Sequence, residues 1–374
     1  MNNDVSTNTD VATNNDGSSS DAAWGPQLGT ATPIAQQQYT FVSLEGPYWV
    51  KTGSFLLFSD VVEKNMTGAL IYKYDPAASP PFSVYPFPGS PATPTSTNGL
   101  GMDSKGRLVV TERWNHSIAR VETDNTLTVL ASTYPASTTG GADAGAEAGA
   151  EAGAETGADE VGATTAKPLN APNDIVIDSN DNIYFSDTLW GGMNMMNGTL
   201  MPNAAYLIAA DGTLVQLYAA GPDATMTSIN GVALSKDGMS LYMGDDIANK
   251  LWKLPLTAAG RRAGDPTVLA DKSKIPGDRF LVPDGINIDD TGLIYVALNH
   301  HDVNAIAVFG TDGTYMGRYD VPVGIDHDPD GGAPLGAAGR GPSNLSFGGA
   351  DRKTLYITTL HALYKVTVPN AGQP

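Results

Sequence analysis

The chain has 374 residues, 41% hydrophobic and 16% charged, with 42 Gly and 25 Pro: enough apolar material for a sizeable core, and too many turn formers for long helices. Its 21 basic and 40 acidic side chains leave a net charge of -19, which argues against a nucleic-acid backbone or an anionic membrane surface as the main partner. With no Cys, disulfides, thiolate metal sites and thiol nucleophiles are excluded, and no apolar run reaches the ~18 residues that a membrane-spanning helix needs.

Residues 1–25 are rich in Asn, Asp, Ser and Thr and carry no base. They predict a disordered polar leader ahead of one folded unit, 26–374. The leader has neither a basic start nor an apolar stretch, so it does not read as a signal peptide. Polar tethers of this kind favour an exported protein over a cytoplasmic one. A second acidic tract, GADAGAEAGAEAGAETGADE, lies within 138–166. Its four-residue period is low in complexity, and each recurring Gly costs a helix about 1 kcal/mol. It predicts a surface insertion. Much of the net charge sits in these two tracts rather than in the folded body.

Between them the sequence repeats. Short polar signals recur as Glu45-Gly46-Pro47, Asn98-Gly99, Asn173-Asp174, Asn230-Gly231, Asp284-Gly285 and Ser343-Asn344. With the insertion set aside, their spacing is roughly 50 residues. Each signal leads into an apolar strand, such as IVID at 175–178 or INID at 286–289. A turn follows (DSKG, DSND, SKDG, DDTG), then a second strand such as RLVVTE, NIYFSD, SLYMGD or LIYVAL. Gly and Asn supply the positive φ of hairpin turns, and period-2 alternation fits half-buried strands. Four strands per unit, six times over, predict an all-β, six-bladed β-propeller with four-stranded blades. Residues 39–44 are expected to complete the last blade and close the ring.

In such a ring the innermost strand of each blade lines a central channel. Glu45, Asn98, Asn173, Asn230, Asp284 and Asn344 would then converge near one axis. Two carboxylates among amide carbonyls make a hard oxygen set, suited to Ca²⁺, Mg²⁺ or Mn²⁺. The same dipeptides also serve as plain turns, so the pattern alone leaves both readings open. His300 and His301 end a strand, where neighbours point to opposite faces, so one of them could serve as a base at the channel mouth. His116 and His361 read as surface or packing residues. Neither an HExxH zinc helix nor a GxSxG nucleophile elbow is present.

These motifs, with Tyr48-Trp49, Leu100, Pro172, Val232-Ala233, Pro283 and Phe347-Gly348-Gly349, stand in an order that resembles the SMP-30/gluconolactonase family. The stretch LNAPNDIVIDSNDNIYFSDTLWG looks especially like its bacterial members. The resemblance implies a six-bladed propeller holding one divalent cation, Ca²⁺ first, with Zn²⁺, Mn²⁺, Mg²⁺ or Fe²⁺ as the other candidates. It implies Glu45, Asn230 and Asp284 as protein ligands, Asn173 facing the substrate or a metal-bound water, and Asn98 and Trp190 shaping the pocket. Animal members carry an Arg two residues before the Asn that matches Asn173; here that position is Ala171, so sugar-acid selectivity does not carry over. The implied reaction is metal-dependent hydrolysis of a sugar lactone or similar small lactone or ester, with Asp284, or a metal-bound hydroxide that it helps form, as base; a monomer is the default expectation. The alternatives are a non-catalytic propeller that binds a ligand or protein, and a condensing enzyme of the strictosidine synthase type.

Overall fold

The computed structural model describes residues 24–35, 41–61, 70–88, 97–134, 167–188, 195–196, 199–200, 203–220, 226–277, 281–300, 303–322 and 341–373. They form an all-β, six-bladed propeller. From the channel outward, the first blade is Leu44–Val50, Phe55–Asp60, Leu70–Tyr74 and Phe82–Val84. The second is Thr97–Met102, Leu108–Glu112, Ser117–Val121 and Leu127–Ala131. The third is Pro172–Ile177, Ile183–Asp187, Asn203–Ile208 and Leu214–Ala220. The fourth is Val232–Leu234, Ser240–Asp245, Lys250–Pro255 and Thr267–Asp271. The fifth is Pro283–Ile288, Ile294–Leu298, Ala305–Phe309 and Tyr315–Asp320, and the sixth begins with Pro342–Gly348, Thr354–Thr359 and Leu363–Thr367. No helix among the described residues is long and apolar enough to cross a membrane.

Alternation along the strands builds the core. In the second strand of the third blade, Ile183 and Phe185 pack toward the second blade while Tyr184 packs toward the fourth. In the fifth blade, Ile294, Val296 and Leu298 face the fourth blade, and Tyr295 and Ala297 face the sixth. The result is one apolar cluster at each of the six blade–blade interfaces. Each fully buried Leu, Ile or Phe contributes about 1.5–3 kcal/mol. Between the sixth and first blades the packing is aromatic: Trp49 stacks on Tyr356 with ring centroids 5.4 Å apart.

Ring closure differs from the expectation for residues 39–44. The fourth strand of the sixth blade is Thr32–Pro33, antiparallel to Leu363–Thr367. Just upstream, Gln27–Thr30 adds a fifth, parallel strand to the outer edge of the fifth blade. Residues 42 and 43 do not reach a strand edge because the Asp60 carboxylate captures them, accepting from Val42 N and Ser43 N at 2.9 Å each. Trp24 is buried, and its ring lies 4.2 Å from the Arg318 guanidinium, which also donates to the Gly25 carbonyl. Residues 1–23 and the tract 138–166 lie outside the described residues.

Candidate active site

The recurring polar signals do not simply precede the inner strands; in five blades they sit inside them, at a β-bulge. The register against the second strand slips between Glu45 and Tyr48, Thr97 and Leu100, Pro172 and Ile175, Pro283 and Ile286, and Pro342 and Asn344. In the fourth blade Asn230 and Gly231 extend the ladder by backbone bonds with Gly244, both 2.9 Å. A bulge interrupts pairing and re-aims a side chain, so each blade turns one polar residue out of its own sheet.

Blade-to-blade contacts gather these residues into a ring. A Cβ on Gly46 would run into the Asn98 carbonyl, and one on Gly231 would run into the Asp284 carbonyl. Only glycine lets these backbones approach so closely. Gly99 abuts the Asn173 carbonyl, which also accepts from Thr111 Oγ1 at 2.7 Å. Gly285 abuts Asn344, and Ser343 Oγ donates to the Leu44 carbonyl at 2.6 Å. Between the third and fourth blades the link is Asp174, whose Oδ2 accepts from Val232 N at 2.9 Å. The structure thus brings Glu45, Asn98, Asn173, Asn230, Asp284 and Asn344, all buried or nearly so, to one end of the channel.

Burial and crowding govern the acids there. Burial, reinforced by the charge of Asp174, pushes Glu45 up to about 8; the Arg113 guanidinium pulls the other way. Asp284 is held well above the carboxylate range, first by burial and then by Glu45, with Asp246 and Asp174 adding to it. Asn299 Nδ2 donates to Asp284 Oδ2 at 2.8 Å and opposes that rise. Burial pushes Asp174 up to about 6. Asn230 Nδ2 lies 3.4 Å from Asp246 Oδ2.

Several buried acceptors here, Glu45 Oε2 and the side-chain oxygens of Asn98, Asn230 and Asn299, have no hydrogen-bond partner among the described residues. Such groups are costly when left unsatisfied, and like charges forced together out of water are costlier still. Among the described residues no group of three or more His, Cys, Asp or Glu is arranged to hold a metal. A cation here would therefore rest on two carboxylates and amide oxygens, a hard set that fits the ions expected from the sequence.

Sequence reasoning missed Asp174, although it stands beside Asn173. Its Oδ1 meets Asn344 Nδ2 at 3.4 Å, a contact between the third and sixth blades, on opposite sides of the axis. Also missed were the carboxylates that close the second strands. Asp187 accepts from Asn170 N and Ala171 N at 2.7 Å each, and Asp245 from Thr227 N at 2.7 Å and Ser228 N at 3.1 Å, as Asp60 does in the first blade. These braces fix the chain that enters the inner strands of the first, third and fourth blades; the shared Asp at the end of FLLFSD, NIYFSD and SLYMGD was their signal. Trp190 and His301 lie outside the described residues, and His300 follows the strand Ile294–Leu298. His116 and His361 pack on the Asn170 and Phe41 carbonyls.

Comparison with known proteins agrees with this architecture. Over 359 residues, the chain is 26% identical to a gluconolactonase of Zymomonas mobilis, covering 92% of this chain and 84% of that one. Among solved structures it resembles a calcium-binding regucalcin of Agrobacterium tumefaciens (TM-score 0.63, 17% identity, 93% and 98% of the two chains). It also resembles a gluconolactonase of Xanthomonas campestris (TM-score 0.60, 20% identity, 92% and 98%). Residues 44–361 match the SMP-30/Gluconolactonase/LRE-like region, and the chain belongs to that family.

Proposed function

We propose that the protein hydrolyses a sugar lactone or a similar small lactone at the ring of Glu45, Asn230 and Asp284. The observation that carries this reading is the pairing of two buried, mutually repelling carboxylates with amide oxygens that have no partner among the described residues, in a chain of a lactonase-containing family. Glu45, Asn230 and Asp284 would hold a divalent cation, Ca²⁺ first. A cation there supplies positive charge for the negative charge that develops on a lactone carbonyl oxygen.

The chain's own groups divide the remaining work. Asn299 orients the Asp284 carboxylate through its 2.8 Å bond. In its ionised form Asp284 takes the proton of a water that attacks the carbonyl carbon. The ring C–O bond then breaks, the proton held on Asp284 passes to the leaving oxygen, and a hydroxy acid is released. Asn173 and Asn98 would face the substrate. Ala171 is buried with its N–H held by Asp187, so selectivity for a charged sugar acid would have to come from elsewhere.

The test is a pH-indicator assay with glucono-1,5-lactone and a panel of other lactones, before and after EDTA. Turnover that chelation stops and added Ca²⁺ restores is expected. Turnover indifferent to chelation would remove the cation from the reading, and no turnover of any lactone by metal-loaded protein would favour a binding propeller.

A further inference from the structure

Beyond the ring, on the other side of the Asp174–Asn344 contact, the channel continues as a cavity of about 710 Å³. Its lining starts at or within two residues of each blade's signal and runs to the hairpin turns at the opposite face. Five charged side chains line the run toward that far mouth: Lys51, Lys236 and Arg352 against Asp178 and Asp237.

The two acids are committed to their own turns. Asp178 accepts from Asn180 N, Asn182 N and Asn182 Nδ2 at 2.8–3.0 Å. Asp237 accepts from Ser235 Oγ at 2.6 Å and Met239 N at 3.0 Å. Lys236 is likewise engaged, its Nζ donating to the Asp290 carbonyl at 2.6 Å.

Arg352 is different. Its backbone is fixed on both sides, N donating to Gly349 O at 3.1 Å and O accepting from Gly372 N at 2.9 Å. It holds a φ of +57°, which a non-glycine residue rarely adopts. Among the described residues its buried Nη1 has no hydrogen-bond partner. No ion pair among the described residues engages Arg352 or Lys51. The two lie on adjoining hairpins, because Gly348 packs on the Trp49 ring. An arginine pinned at the cavity wall with a lysine beside it, neither in an ion pair among the described residues, calls for an occupant with acceptor oxygens.

We propose that the far mouth of the channel is a second ligand site, separate from the candidate active site, which binds a small carboxylate anion on Arg352 with Lys51 beside it. The planar guanidinium fork matches a carboxylate by two parallel hydrogen bonds. The net charge of -19 repels anions at long range, so recognition there depends on close contact rather than on steering.

Titration calorimetry of the full chain with succinate, and separately with inorganic phosphate, at constant ionic strength tests this. Succinate should bind saturably, with the same affinity in Asp284→Asn. It should bind at least tenfold more weakly in Arg352→Gly, a change that φ +57° accommodates and that should leave the thermal midpoint in place. Arg352→Lys, which keeps the charge and loses the fork, should fall between. Unchanged succinate binding in Arg352→Gly, no saturable binding by the wild type, or binding of phosphate without succinate would each overturn the proposal. So would binding lost in Asp284→Asn and kept in Arg352→Gly.

Discussion

Acidic residues occupy both faces of the propeller, and the two faces treat them in opposite ways. In the outer hairpin turns of the opposite face, away from the channel, hydrogen bonds hold aspartates below their ordinary range. The Thr126 hydroxyl does so for Asp124, the Thr213 N–H for Asp211 and the Thr314 N–H for Asp312. At the ring, Glu45, Asp174 and Asp284 are stripped of water and set against one another, and all three are raised. One residue type thus serves as a solvated turn former at one end and as a high-energy charge at the other; the difference lies in burial and neighbours, not in the side chain.

The comparison breaks most visibly if the ring acids prove as dispensable as the turn acids. Asp284→Ala should lower lactone turnover by at least ~10²-fold, the loss expected for a removed general base. Because it also removes one of two repelling buried carboxylates, the thermal midpoint of EDTA-treated protein should not fall. Near-normal turnover would end the assignment of Asp284.

A second test acts on the backbone that holds the ring. Gly231→Ala places a methyl group against the Asp284 carbonyl and should cost about 1–3 kcal/mol in urea unfolding, with turnover reduced alongside. Wild-type stability would show that the fourth and fifth blades can part at that point without penalty.

Asp187 sharpens the contrast through pH. Burial pushes it from 3.8 up to about 7 in the folded protein, despite the N–H groups of Asn170 and Ala171. The folded state then keeps a proton that the unfolded chain releases. The associated stability is complete below pH 3.8 and is lost as the pH climbs toward about 7. Unfolding free energy measured by urea should therefore decline over that window, and less so in Asp187→Ala. A wild-type profile that rises there would contradict the burial argument. The smallest effect is expected at Asp124, whose replacement by Ala should leave turnover and thermal midpoint within experimental error.

The blade count, the second strands and the alternation that fills the six interfaces were legible because they repeat: YFSD, YMGD and YVAL announce the same strand at matching places. The bulges were not. Asn-Gly and Asp-Gly read as turns, and only pairing with a partner strand shows two residues opposing one. The axis-crossing contact of Asp174 with Asn344 joins residues 170 positions apart, which no local pattern announces. Ring closure went astray for a similar reason, since Thr32–Pro33 is too short to carry a period and its pairing depends on Leu363–Thr367.

That closing pair also sets an order of events for the nascent chain. Strand Thr32–Pro33 leaves the ribosome before all six inner strands, while its partner Leu363–Thr367 is made more than three hundred residues later. Five blades can assemble as an open arc during translation, but the seam cannot seal until Leu363–Thr367 has been made. Until then the aromatic face around Trp49 and Tyr356 lacks its counterpart, which makes this seam the place where the growing protein is most open to a chaperone or to another unfinished copy.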